Sequence, residues 1–375
     1  MSVAINGTNG ITYNDGSLQP SAPVGKNLII NGNMQIAQRA TSVTGITSGG
    51  YYTVDRWQQT LSGGGTYTQA QTALTSSDAA FADGFSQSVK YDCTTAYTSA
   101  NSFSVHRQII EGQNLQQLAY GTSSAKSVTL SFWVKSNVTG TAVASLYSAD
   151  SSRQISQTYT IDATNTWEYK TVTFAGDTAS AFDNDNAASL YVNLVMATGT
   201  DYTSGTLRST WTTYANADFA AGQTIDISAS TSNDISFTGV QLEANTTATP
   251  FENLQYGQQL ALCQRYLQSS WSQGSAIGSA VSITTNSTQQ SWGSNNAGIA
   301  GQAFLLPVTM RTSPTLVVYD MALNVGKVTT LGNGAAQINN VAANNSATTT
   351  NMFYVRMYAN SKVGIAFAHT LTAEL

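Results

Sequence analysis

Few residues in this chain could carry out proton-transfer or nucleophilic chemistry. Histidine, the side chain suited to proton transfer near neutrality, occurs only as His106 and His369. A Ser-His-Asp or Cys-His arrangement would have to use one of them, and they fall in different predicted domains, so each reads as a satisfied histidine on a strand face. Glycoside hydrolysis needs two carboxylates about 5 to 9 Å apart across a cleft. The chain has 20 acidic residues, but spacing marks out no pair. There is no Walker loop, HExxH or CxxC, and the glycine runs do not lie between a strand and a helix. The expectation is a protein that is not an enzyme.

Two other groups of residues are better supplied. Asp183-Asn-Asp-Asn186, near Asp177, offers hard oxygen ligands of the kind Ca2+ takes, so Asp177, Asp183 and Asp185 are the candidate ligands of a structural calcium. The spacing is not that of an EF-hand, and Asx-turn chemistry explains the cluster equally well. Aromatic residues are abundant, with 18 Tyr, 12 Phe and 6 Trp. Trp57, Trp133 and Trp167 read as core packing. Trp211 and Tyr214, and Trp271 and Trp292, lie in Ser/Thr/Gln/Asn/Gly-rich stretches. A flat aromatic face flanked by amides and hydroxyls can stack on a pyranose ring while fixing its hydroxyls, so these four are candidate glycan contacts. Burial at a subunit interface is the competing account of them.

Composition fits contact with a neutral polar partner. Of 375 residues, 41% are aliphatic or aromatic and 9% charged, with 15 basic and 20 acidic residues and a net charge of −5. Nucleic-acid binding needs clustered Lys and Arg and is set aside. The N-terminus has neither a basic nor an apolar signal region, and no apolar run reaches membrane-spanning length, so no membrane insertion is expected. Cys93 and Cys263 read as two buried thiols and not as a bridge.

The elements that must position these residues are mostly strands. Residues 1–25 carry Asn6-Gly7, Asn9-Gly10 and Asp15-Gly16 turns, too short a segment for its own core, and are expected to be an arm that docks on another chain. From 26 to 248 apolar and polar residues alternate, as in Val128-Thr-Leu-Ser-Phe-Trp-Val134, between Gly/Asn/Asp/Ser-rich connectors, the pattern of an antiparallel sandwich or jelly roll. The alternation changes phase across Gly239, as at a β-bulge. Ile109–Leu115 could be a helical turn or an edge strand. Thr249-Pro250-Phe251-Glu252 reads as a capping box opening a helix over 249–269, with Tyr256, Leu260, Cys263 and Leu267 forming an apolar oligomer seam. Residues 270–375 form a second, smaller β-domain with strands near 303–306, 315–320, 353–358 and 363–371 and a loop over 331–346.

Taken in order, these residues resemble one family. Lys26-Asn-Leu-Ile-Ile-Asn-Gly-Asn-Met34, Tyr52-Thr-Val-Asp-Arg-Trp57, Thr166-Trp-Glu-Tyr169 and Phe237-Thr-Gly-Val-Gln-Leu-Glu243 are similar to the carbohydrate-binding-like jelly roll of tailed-bacteriophage tail fibres and other virion structural proteins. Cys263-Gln-Arg-Tyr266, Leu306-Pro-Val-Thr-Met-Arg-Thr-Ser-Pro314 and Ala373-Glu-Leu375 resemble the distal domain of such fibres, and Asn9–Gly16 a segment before the jelly roll. The resemblance implies an all-β virion protein exposed on the particle, a homotrimer, attached through residues 1–25 to other virion proteins and binding a host-surface polysaccharide as a short tail fibre. A capsid decoration, head-fibre or tail-adaptor protein is the structural alternative, and a glycan depolymerase the enzymatic one. Typical fibres carry a long N-terminal anchor and only about 25 residues precede the jelly roll here, so the attachment point stays open.

Overall fold

The computed structural model describes residues 25–280, 288–290, 298–332, 338–342, 344–359 and 363–375, together with three short strands of the N-terminal arm. Those three, Ala4–Asn6, Gly10–Thr12 and Leu18–Gln19, form a small antiparallel sheet. The large domain is a sandwich of two antiparallel sheets. We number its strands β1 (Ser42–Ile46), β2 (Gly50–Tyr51), β3 (Gln58–Ser62), β4 (Thr66–Ala73), β5 (Gln87–Thr95), β6 (Phe103–Glu111), β7 (Val128–Ser136), β8 (Gly140–Ser148), β9 (Arg153–Ile161), β10 (Glu168–Phe174), β11 (Ala188–Thr198), β12 (Thr212–Thr213) and β13 (Asp234–Glu243). One sheet runs β10-β7-β13-β5-β4-β1 and the other β12-β9-β8-β11-β6-β3-β2. Because the chain changes sheets repeatedly, neither sheet is a simple meander. The domain is a jelly-roll β-sandwich.

Period-2 alternation builds its core. Val128, Leu130, Phe132 and Val134 of β7 and Leu190, Val192, Leu194 and Met196 of β11 face each other across the sandwich, all buried. Trp57, Phe132 and Phe237 are fully enclosed, and burying a ring of this size contributes about 2–3 kcal/mol. The phase change at Gly239 is real: the β7–β13 register shifts between Ser131 and Trp133, and Gly239 has φ 61°. Ile109–Glu111 end the interior strand β6 and Gly112–Asn114 make one 3-10 turn, so the stretch divides between a strand that is not an edge and a single helical turn.

The helix is shorter than the sequence predicts. It spans Tyr256–Gln264 and is capped by Gln255 and Gln258, and the residues read as a capping box do something else. Thr249 donates from N–H and hydroxyl to Glu243 (2.8 and 2.7 Å), while the Glu252 carboxylate accepts from the N–H groups of Asn27 (2.8 Å) and Gly25. These polar groups pin the chain entering the sandwich to the chain leaving it, a more specific use than an N-cap. The proposed seam is divided accordingly. Cys263 is buried, Leu267 lies buried in a strand, Leu260 is half-buried and Tyr256 is exposed. They do not form one exposed stripe, because the helix lays its Cys263 side on its own sandwich.

In the distal unit Val363–Thr372 pairs with Leu267–Ser269, Thr288–Gln290, Thr315–Tyr319 and Lys327–Gly332. Gly298–Leu305, Met352–Ala359 and Asn344–Thr348 form a second sheet. Met310, Val318, Val328, Phe353, Phe367 and Leu371 make its core. Within the stretch expected to be a loop, 331–346, the described residues are strand: Ile338–Ala342 and Asn344–Thr348 pair with neighbours, and their Asn- and Ala-rich composition hides them.

The two units meet through a polar clasp. Arg56, held at φ 71°, donates to the Glu374 carboxylate and, through Nη2, to Ile109 O (2.7 Å), with its guanidinium carbon 3.4 Å from the centre of the Tyr266 ring. Arg39 donates to the same carboxylate (3.0 Å). Arg265 grips Glu111 with two bonds (2.9 and 2.7 Å), and the Tyr266 hydroxyl donates to Glu111 as well. Cys93 and Cys263 are both buried and unbridged.

Candidate functional site

Three adjacent strands of the second sheet, β8, β11 and β6, present an outer face built by alternation. On β6, Ser104, His106 and Gln108 alternate with Phe103, Val105 and Arg107. His106 points inward, stacked on Trp57 at 4.0 Å and on Phe237 at 5.1 Å, so Arg107 points out. Register then lines up three rows. Val143, Val195 and Val105 form one; Ser145, Asn193 and Arg107 form the next; Tyr147 and Tyr191 form the third.

The segment 199–223 covers the valine row. Phe219 and Ala220 pack on the valines, and Tyr202 and Tyr214 flank them. Asp218 holds the segment in place, accepting from Thr206 N–H and Arg208 Nε at 2.7 Å each, while Ala220 N–H donates to Tyr202 O at 2.9 Å. Tyr214 meets Tyr147 edge-on at 5.2 Å, and Tyr147 meets Tyr191 likewise at 5.5 Å. A cleft of about 310 Å3 remains, lined by Phe103, Arg107, Tyr147, Tyr191, Tyr202, Tyr214, Asn216 and Phe219.

Arg107 lies within this cleft. Its Nε donates to Asn193 Oδ1 at 2.6 Å, Asn193 donates onward to Ser145 Oγ at 3.2 Å, and the guanidinium carbon lies 5.1 Å from the centre of the Tyr191 ring. Burial lowers the Arg107 guanidinium pKa, and the surrounding tyrosines offset this only in part. Burial also raises the Tyr214 phenol. The cleft thus offers ring faces, phenol hydroxyls, the Asn216 amide and a fixed cation, and has no carboxylate or imidazole in its lining.

The expected glycan contacts fall in different places. Tyr214 lines the cleft. Trp211, three residues earlier on an extended chain, faces the other way: its Nε1 donates to Ala175 O (2.8 Å) and its ring packs on Tyr120. Trp271 is only 4% exposed, edge-on to Tyr319, with Nε1 donating to Ser279 O; a ring so enclosed has no face for a ligand. Trp292 lies outside the described residues. Arg107, Tyr147, Tyr191 and Tyr202 were not singled out from sequence, although Tyr147 and Tyr191 occupy solvent-side positions of clearly alternating strands.

The Asp cluster is built of turns. Asp177 pairs with Arg153 (2.7 Å) and accepts from Ala179 N–H. Asp185 accepts from Ala187 N–H, and Asp183 donates its N–H to Asp150. Among the described residues, no three acidic, His or Cys side chains converge as a metal site; the Asp177 carboxylate is taken by Arg153 and an Asx turn, and that of Asp185 by an Asx turn.

A second, larger groove of about 620 Å3 lies on the outer face of the other sheet, around Trp133 and Tyr169. There the Trp133 indole donates to Asp83 (3.2 Å) and its ring joins a satellite cluster with Phe85, Trp167 and Phe251.

No family model and no curated protein matches the chain. Solved structures do. The enzymatically active domain of tailspike protein 4 of bacteriophage CBA120 is 14% identical over 59% of this chain, at a TM-score of 0.31, and the match spans 22% of that protein. A protein from Bacteroides thetaiotaomicron is 14% identical over 58% of this chain and 100% of its own, at 0.30. The family 11 carbohydrate-binding module of the Clostridium thermocellum cellulase Lic26A-Cel5E is 12% identical over 60% of this chain and 99% of its own, at 0.28. Likenesses this distant carry no functional argument, and the site is read from its own residues.

Proposed function

We propose that this chain is a non-enzymatic glycan-binding protein, and that the tyrosine cleft on the outer face of the second sheet is its binding site. The observation that carries the reading is the convergence of Tyr147, Tyr191, Tyr202 and Tyr214 on one cleft beside Arg107 and Asn216. Tyrosine rings stack on the apolar face of a pyranose while their hydroxyls and neighbouring amides meet its hydroxyl groups. The lining holds no acid–base pair, so a sugar bound there meets no group placed to hydrolyse it. The cleft is favoured over the larger groove because the Trp133 ring is already committed to Asp83 and to packing.

The sequence resemblance sets this binding in a virion, with the chain acting as a short tail fibre and three copies engaging a repetitive host-surface polysaccharide together. Weak single sites then gain in avidity. Residues 1–25 serve as the attachment arm.

The test is adsorption of the purified protein to host cells, with and without Tyr191→Ala. Binding that competes with phage adsorption and weakens about fivefold in the variant is expected, since one lost aromatic face is worth about 1 kcal/mol. A protein that neither adsorbs nor competes would remove the receptor-binding reading and leave a structural virion component.

A further inference from the structure

We infer that the cleft takes an acidic glycan, and that Arg107 receives a carboxylate carried by the bound sugar. This rests on the glycan-binding reading above and narrows its ligand class. The observation behind it is an imbalance among the arginines. Of those whose side chains are described, Arg39, Arg56, Arg153, Arg208 and Arg265 each meet a carboxylate. Arg311 instead donates to the carbonyls of Asn186, Ala373 and Glu374. Arg107 differs from all of these. Its Nε is fixed by Asn193, and its Nη groups have no hydrogen-bond partner among the described residues.

Glu243, buried without a cation, has its carboxylate filled by Thr249 and Gln241, whereas the Arg107 guanidinium is half-buried, walled by tyrosines and open at its Nη edge, so an anion entering the cleft meets a cation already oriented and partly stripped of water. The open part of the side chain is the planar Nη edge, whose geometry matches a carboxylate with two parallel bonds. The cation is also local: with a net charge of −5, the protein has no general basicity that would account for it. Asn193, held in turn by Ser145, acts as the positioning residue that orients this edge.

The experiment measures binding of the full chain to uronate-containing, sulfated, phosphorylated and neutral bacterial polysaccharides, and to the carboxyl-reduced form of each uronate polymer. Wild type, Arg107→Gln and Arg107→Lys are compared, with circular dichroism confirming that the variants fold. Expected are binding to uronate members, its loss on carboxyl reduction, weakening with added salt, a loss of about tenfold or more in Arg107→Gln and a smaller loss in Arg107→Lys. Binding to neutral polysaccharides unaffected by Arg107→Gln would overturn this inference while sparing the glycan reading. Binding confined to sulfated or phosphorylated polymers would overturn the carboxylate assignment. Absence of binding to every glycan would overturn both.

Discussion

His106 and Arg107 stand side by side on β6, and strand alternation alone sends one into the core and the other into the cleft. Burial holds the His106 imidazole well below its ordinary pKa of 6.5 and lowers His369 to about 4. Each is kept neutral in the folded chain but takes a proton in the unfolded one as pH falls below 6.5, so each contributes stability that is lost on acidification. For His369 the loss between pH 7 and 5 is about 2 kcal/mol, and His106 adds to it. Asp55 opposes them. Burial raises it to about 6, so the folded form takes up a proton first, which restores about 1 kcal/mol over the same span. The melting temperature is therefore expected to fall from pH 7 to pH 5, and to fall less in His369→Gln. A melting temperature that rises on acidification would show that Asp55 dominates. Both histidines read from sequence as strand-face residues and both lie buried on strands, His106 meeting the Tyr91 hydroxyl through Nδ1 while its Nε2 has no partner among the described residues. Arg107 carries no such signal, since a single arginine in an alternating strand looks like any solvated charge until neighbouring strands are in place around it.

The β-strands of the large domain were legible because their apolar positions recur at every second residue. The same regularity could have placed Tyr147 and Tyr191 on the solvent side. It could not reveal that segment 199–223 folds back to wall them in, which depends on Asp218 finding Arg208 and Thr206. The helix was misjudged for a related reason. Thr249 and Glu252 have cap chemistry by type, but Glu243 and the amides of residues 25 and 27 compete for them, and those partners are distant in sequence. The bulge at Gly239 was read correctly because only local alternation is needed to see it. Its glycine is required twice over: φ is 61°, and a Cβ there would meet Phe85 at 2.6 Å. Gly239→Ala is expected to destabilise the sandwich by about 2–3 kcal/mol, from left-handed strain plus displacement of a packed ring, measured as a shift in the denaturation midpoint. A change below about 0.5 kcal/mol would show that Phe85 moves aside freely.

Charged contacts join the jelly roll and the distal unit. Arg56 is 1% exposed and shares Glu374 with Arg39. Glu374→Gln leaves a buried guanidinium without its anion, and a loss of about 3–5 kcal/mol is expected, visible in denaturant unfolding and as faster proteolysis between the units. Unchanged stability would mean that the Ile109 carbonyl and the Tyr266 ring suffice to hold Arg56. The expectation of two β-units with a helix between them matches the architecture. The clasp was invisible in sequence because its partners come from opposite ends of the described chain.

That distance bears on the order in which the protein is made. Arg56 and Glu374 are 318 residues apart, and synthesis adds about 5–20 residues per second. The jelly roll therefore emerges from the ribosome with its most enclosed cation still waiting for its counter-ion, for roughly a quarter of a minute or longer at such rates. During that interval Arg56 has only the Ile109 carbonyl to hold it, and a chain interrupted before Glu374 is expected to leave the first domain less stable and more open to proteolysis.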